Sequence, residues 1–305
     1  MATESDTFEI AEQDKAGFLG YFNWEENIKP IAKYVGLVLV MVFCVTPLYF
    51  TFVNSLKTPG QIFTSVAGIP WVTFQPAPPA QNAWYTMWDA FPFVKFTFAS
   101  FVASFGTAAL ATALAITAAY AFARLEFPHK NKLFVLSIIG FMFPRALIAI
   151  PIFLLLNKMS MLNTYIGLVV AFTSFTLPYN IWLLRGFFED LPDNLEESAR
   201  VDGCTKFGSF YRVILPLSRP AIASVFMLAF LLAWHNFLIA FLVANDDLHT
   251  PLPVAVLSLQ SQFFVQSFHY ILAGTFLTMI IPVILYMYLQ KHLVEGLSAG
   301  TGLKG

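Results

Sequence analysis

Five side chains break long apolar runs with groups able to bind or pair: Arg145 in "FMFPRALIAIPIF", Asn180, and the consecutive Trp234, His235 and Asn236. A guanidinium among aliphatic side chains can hold an anion or a hydroxyl-rich ligand, bridge to a partner chain, or snorkel. Unpaired at membrane depth it costs at least about 2.5 kcal/mol. An indole face beside amides offers what a sugar needs, a stacking surface for C–H groups and hydrogen-bond partners for hydroxyls. Each of these residues can equally serve as interhelical glue in a membrane. Both readings stay open from the residues alone.

Absent groups narrow the chemistry further. All 18 Asp and Glu lie in tails or loops and none within an apolar run, whereas proton- or sodium-coupled carriers place a carboxylate on the pathway at membrane depth. No GxxxxGK[ST] phosphate loop occurs, so nucleotide hydrolysis by this chain is not expected. Neither an HExxH nor a serine–histidine or paired-carboxylate arrangement falls in the apolar runs, and His235, the histidine well inside one, has no ligand-spaced companion. Cys44 and Cys204 are too few and too differently placed for a disulfide framework or a zinc site. The expectation is a chain with no catalytic residue, metal or cofactor of its own.

The elements that must carry these residues follow from composition. Hydrophobic residues make up 58% of the 305 and charged residues only 11%, against about 25% charged in soluble domains. A crossing takes roughly 20 apolar residues, and six runs qualify, near 34–54, 96–122, 133–156, 166–184, 221–243 and 271–289. With a cytoplasmic N terminus, most Lys and Arg outside the spans fall inside, and Lys57, Lys95 and Lys158 outside. The expected fold is therefore an all-α integral membrane protein of six transmembrane helices with both termini cytoplasmic. It divides into a tail over 1–30, a membrane domain over 31–290 with a cytoplasmic loop at 185–220, and a tail over 291–305. The first tail is acidic (Glu4, Asp6, Glu9, Glu12, Asp14) and lacks the basic start of a cleavable signal.

Three loops face outward in this topology. The first, near 56–95, is proline-rich and expected to be irregular, with Trp71, Trp84, Tyr85 and Trp88 suited to the interface. The third, near 244–268, starts polar and turns apolar enough to pack on a partner or dip into a pore. Thr107, Thr112 and Thr117, amid Gly and Ala, suggest close helix packing.

Between the fourth and fifth runs lies "LPDNLEESARVDGCTKFGSFYRVILPLSRP". Asp193 and Glu196 form a D-x-x-E capping pattern, Leu195 and Ala199 give a small apolar strip, and Gly203 stops the helix. Thr205 can cap a second helix with Phe207, Phe210, Tyr211 and Ile214 at i, i+3, i+4 and i+7, on one expected aromatic face. Pro216 and Pro220 close it. Five basic and six acidic residues between Arg185 and Arg219 argue against nucleic acid.

This loop resembles the signature of permease subunits in binding-protein-dependent ABC importers: EAA, three residues, Gly, nine residues, then I-x-L-P. Glu197, Ser198 and Ala199 stand at EAA, Gly203 at the glycine, Val213 at the isoleucine, and Leu215 and Pro216 at L-P. Ser198, Val213 and Cys204 are conservative departures. "NSLKTP" at 54–59, "WHNFLIAFLVAN" and the terminal "LVEGLSAGTGLKG" resemble the maltose-type, MalG-like branch of the type I importers. The resemblance implies that the elbow is a coupling helix docking on an ATPase dimer that binds ATP and Mg, through Glu196, Glu197, Ser198, Ala199, Asp202, Gly203, Phe207, Phe210, Leu215 and Pro216. It implies too that the C-terminal tail touches that ATPase and that the third outer loop probes the binding protein's cleft. A second homologous permease, a periplasmic or lipid-anchored solute-binding protein, a carbohydrate-like solute reaching Arg145, Asn180, Trp234, His235 and Asn236, and a bacterial or archaeal inner membrane complete it. An ion-coupled carrier or channel is the alternative, disfavoured by the carboxylate-free spans; a membrane enzyme is disfavoured by the missing catalytic set.

Overall fold

The structure, a computed structural model, describes residues 29–63 and 76–300, with side chains at these positions except Pro30, 260–267 and 288–300. Trp71, the acidic tail before residue 29 and residues 301–305 lie outside the described residues, as do the side chains of the tail from 291. Every regular element among the described residues is helical. The chain divides into two compact units between Phe52 and Val53. The first contains most of helix α1 (Lys29–Ser55), whose 25-residue apolar stretch from Ile31 is long enough to cross a membrane.

The second unit begins with a short α2 (Pro59–Phe63) and α3 (Ala83–Ala90). Long helices follow: α4 (Phe93–Arg124), the bent pair α5 (Lys130–Met142) and α6 (Arg145–Lys158), and α7 (Tyr165–Asp190). An elbow of α8 (Asn194–Val201) and α9 (Lys206–Leu217) leads to α10 (Arg219–Trp234), α11 (Phe237–Val243) and α12 (Leu252–Gly300). Among the described residues, four helices have the length and apolarity of a span, and the bent pairs α5–α6 and α9–α10 bring the number to six if each counts once.

Helix α4 is the central post, and its sequence explains why. Ala99, Ala103, Thr107, Ala111, Ala115 and Ala119 recur every four residues and are fully buried. Small residues at this spacing let backbones approach closely, which in lipid is the main source of helix association. α7 and α10 pack along this strip. Thr107 turns its hydroxyl onto the Ala103 carbonyl at 2.7 Å, hiding the polar group within its own helix. Thr112 is buried as well, but Thr117 is exposed, so the expected packing face takes only two of the three threonines.

Two expectations about the spans and two about the outer loops are corrected. The third run is two helices meeting at 98°, because Pro144 has no N–H to give and drives Phe143 into the extended region (ψ 140°). The fifth run breaks after Trp234 and restarts at Phe237, with the Asn236 side chain accepting the Ile239 N–H at 3.4 Å. In the first outer loop, Asn82 caps the helix α3 by accepting the Trp84 N–H at 3.0 Å. Nor is the third outer loop mostly loop, since helix begins again at Leu252.

That last helix folds back on itself. A side chain at Gly274 would lie 2.7 Å from Val256 Cγ2 and 2.8 Å from the Phe93 ring. Val256 and Gly274 are 18 residues apart, which in a straight helix means roughly 27 Å. Leu252, Ala255 and Leu259 share a core with Ala273, Phe93, Ala83 and Met87, and the Leu252 N–H donates to Ser100 Oγ at 2.7 Å. Leu252, Val254, Ala255 and Leu259 of the expected loop are thus packed inside the bundle.

Candidate functional site

The elbow sits at one end of the bundle, where α4, α7 and α10 converge on a core of Ala115, Ala119, Tyr120, Leu184, Phe188, Phe210, Ile214 and Val225. Its turn is built as the residues require. Gly203 takes φ 86°, the Gly203 N–H donates to the Arg200 carbonyl at 3.1 Å, and the Cys204 N–H donates to the Ala199 carbonyl at 2.9 Å. Those paired bonds close a helix on a left-handed residue, which only glycine adopts cheaply. Thr205 then accepts the Gly208 N–H at 3.1 Å and starts α9, as its type and place suggest.

Two features of the elbow depart from expectation. Asp193 makes no side-chain cap; its carbonyl accepts the Glu196 and Glu197 N–H groups while its carboxylate pairs with Arg124. The expected single aromatic face is split as well. Phe210 and Ile214 are 4% and 0% exposed, whereas Phe207 and Tyr211 are 72% and 60% exposed. A π turn over Phe210–Ile214, closed by the Leu215 N–H on the Phe210 carbonyl, widens the helix there, and the chain's own core takes two of the four side chains.

Of the other expected coupling residues, Glu197, Ser198, Asp202 and Gly203 are exposed, Glu196, Leu215 and Pro216 half-buried, and Ala199 buried. An open groove of about 570 Å³ runs over Glu197, Arg200, Val201, Cys204, Thr205 and Lys206. Beside the elbow, Arg185 lies 3.7 Å above the Phe134 ring and pairs with Glu189 at 2.8 Å.

The membrane-depth residues scatter into different roles. Trp234 is 1% exposed, stacks on Phe230 and donates its indole N–H to the Thr278 carbonyl at 3.0 Å, fastening α10 to α12. Asn236 is the cap of α11. Asn180 is buried in the α4–α7 seam, its amide 3.5 Å from the Thr112 hydroxyl, and its Oδ1 has no hydrogen-bond partner among the described residues. His235 is exposed with a ring nitrogen 2.9 Å from the Leu231 carbonyl. Arg145 is exposed at the first position of α6, with no hydrogen bond or ion pair among the described residues. A cation at a helix N-terminus opposes the helix dipole. The structure therefore brings Trp234 and Asn236 together only as packing and capping groups, and leaves Arg145 and His235 open.

Sequence reasoning missed Arg124, used there only to orient the chain, and Tyr120. Arg124 pairs with Asp193, donates to the Leu191 carbonyl and lies 3.8 Å from Glu196. Tyr120 packs on Phe210 with ring centroids 4.3 Å apart. Their i, i+4 spacing one turn from the end of a span is the only signal the sequence offers.

Residues 111–298, more than half of the chain, match the family described as binding-protein-dependent transport system inner membrane component. The chain belongs to this family. It is 32% identical over 279 residues to the sulfoquinovosyl glycerol transport system permease protein SmoH of Agrobacterium fabrum, covering 91% of this chain and 94% of that one. Over 284 residues it is 28% identical to the trehalose/maltose transport system permease protein MalG of Thermococcus litoralis, covering 92% and 99%. In three dimensions it resembles a bacterial ABC transporter involved in import of the acidic polysaccharide alginate, with a TM-score of 0.71 at 18% identity over 88% of this chain and 98% of the other, a likeness of fold. As a binding-protein-dependent permease the chain is a multi-pass membrane subunit of an ABC importer. It is not itself catalytic, and the family works with a separate ATPase and a solute-binding protein.

Proposed function

We propose that this chain is one of two homologous permeases of a type I importer in a bacterial or archaeal inner membrane, moving a carbohydrate or similar polyhydroxy solute. The relatives named for sulfoquinovosyl glycerol and trehalose/maltose transport support the solute class. In this assembly both termini are cytoplasmic, residues 31–290 form the membrane domain, and the tails over 1–30 and 291–305 lie in the cytoplasm. The elbow docks on an ATPase dimer that binds ATP and Mg. Closure of that dimer moves the elbow, and alternating access follows because the partners contact the two states differently.

One observation carries the docking role: the elbow exposes two aromatic side chains, Phe207 and Tyr211, and carries an open groove lined by the charged Glu197, Arg200 and Lys206, an apolar anchor and a charged rim on one element. Glu197, Ser198, Asp202 and Gly203 form the touching rim. Ala199, Phe210, Leu215 and Pro216 seat it, and Glu196 ties it to α4. Along the solute path, Arg145 and His235 supply the open polar groups and Asn180 the unmet acceptor, while Trp234 and Asn236 hold the shape of α10 and α11.

Cys204 lines the groove and the chain's other thiol is Cys44, so a Cys44→Ser variant carries a single reporter. A bifunctional thiol reagent at Cys204 should join the chain to the ATPase in membranes holding the whole transporter. Absence of that adduct with the ATPase co-purifying would remove the elbow from the interface.

A further inference from the structure

The chain path makes α7 and α10 the helices that the elbow moves directly, because it is spliced between them. Its contacts single out a third. Arg124, the last residue of α4, reaches across to α8: it pairs with Asp193, donates to the Leu191 carbonyl and lies 3.8 Å from Glu196. One turn earlier on the same face of α4, Tyr120 packs on Phe210 of α9 at 4.3 Å and edge-on to Phe188 of α7 at 6.1 Å. Both helices of the elbow are thus fastened to α4 by two side chains four residues apart.

We propose that Arg124 and Tyr120 form a clasp through which the elbow drives α4, with Arg124 the positioning residue that sets how tightly ATP hydrolysis is coupled to the membrane helices. The inference rests on the docking role proposed above. Three properties favour a moving joint over a plain brace. The Arg124 side chain is 8% exposed but its partner Asp193 is 83% exposed, so a protein seated on the elbow meets the outer half of the pair. Arg124 Nε and Glu196 Oε1 are buried, and the 3.8 Å between them is longer than a hydrogen bond. A network only partly satisfied in one arrangement has bonds left to gain in another. Finally, α4 is the helix whose small-residue strip contacts both α7 and α10, so driving α4 shifts the seams that both make with it.

The test uses the whole transporter in proteoliposomes and reads the stimulation of ATP hydrolysis by its solute-binding protein, which requires a signal to cross the bundle. With Arg124→Gln the ATPase should still co-purify, and stimulation should fall by about tenfold, within the span of known coupling factors. Arg124→Lys, which keeps the charge but loses the fork, should recover part of it, as should the swap of Arg124→Glu with Asp193→Arg. Should Arg124→Gln fail to assemble, Asp193→Asn at the exposed end serves instead, with partial loss of stimulation expected. Normal stimulation in whichever of the two variants assembles overturns the clasp. A wild-type chain that binds no ATPase sinks the docking role itself, which is a separate result.

Discussion

Gly203 shows how much one position can carry. A side chain there meets nothing within 4 Å, so a substitution is opposed only by the backbone at φ 86°. Gly203→Ala should therefore cost about 1 kcal/mol of stability, measured by thermal unfolding in detergent. Gly203→Pro cannot take this φ at all; either it or Glu197→Lys, which reverses a charge on the exposed rim, should uncouple ATP hydrolysis from uptake while membrane insertion, followed by fractionation, stays normal. At the opposite end of the bundle, Lys57 is 2% exposed, its amine 3.2 Å from Asn54 Oδ1, and burial pulls its pKa below the ordinary lysine value. A lysine held low in the fold binds fewer protons folded than unfolded. Stability contributed by this site should thus rise with pH between the lowered value and about 10.5. Lys57→Met should flatten that slope in unfolding scans taken at alkaline pH below about 10.5.

Breaks in the elements matter as much as the elements. α10 and α11 are separate because Asn236 caps the second, so Asn236→Ala should cost about 1 kcal/mol and loosen α11. Faster hydrogen exchange over Phe237–Val243 is the readout. The fold-back of α12 depends on Gly274, where a larger side chain meets Val256 and Phe93. Gly274→Val should cost about 1–3 kcal/mol by overpacking, seen as a lower melting temperature, whereas Gly36→Val, with nothing within 4 Å, should not. Helix α8 ends and α9 begins on signals readable in the residues: glycine at the left-handed position and threonine at the cap. The beginning of α8 was not readable. Asp193 had two ways to spend its carboxylate, a local N–H or a distant guanidinium, and the distant one is ion-paired and won.

For the assembled permease, the distribution of Lys and Arg makes a testable claim about sidedness. In a chain without Cys44 and Cys204, a membrane-impermeant thiol reagent should label a cysteine placed at Lys132 only from the cytoplasmic face, and one placed at Asp247 only from outside, since both positions are exposed. Labelling of both from one face would refute the proposed topology. The same arrangement puts the elbow and the turn at residues 244–251 at opposite ends of the bundle, so that a signal from the binding protein to the ATPase must run the length of helices such as α4.

Apolar length, charge asymmetry and the spaced glycine, threonine and proline signals were local properties, and the residues alone determined them: helical spans, a turned elbow, the importer family. Contacts between distant segments were another matter. Whether Phe210 faced a partner or its own core, whether Trp234 met a solute or the Thr278 carbonyl, and whether Arg124 did anything beyond marking a cytoplasmic end each turned on which helix lies beside which. Periodicity fixes the face of a helix but not its neighbour. Neighbours are chosen by close packing across the whole bundle, and that choice exists only once the chain has folded.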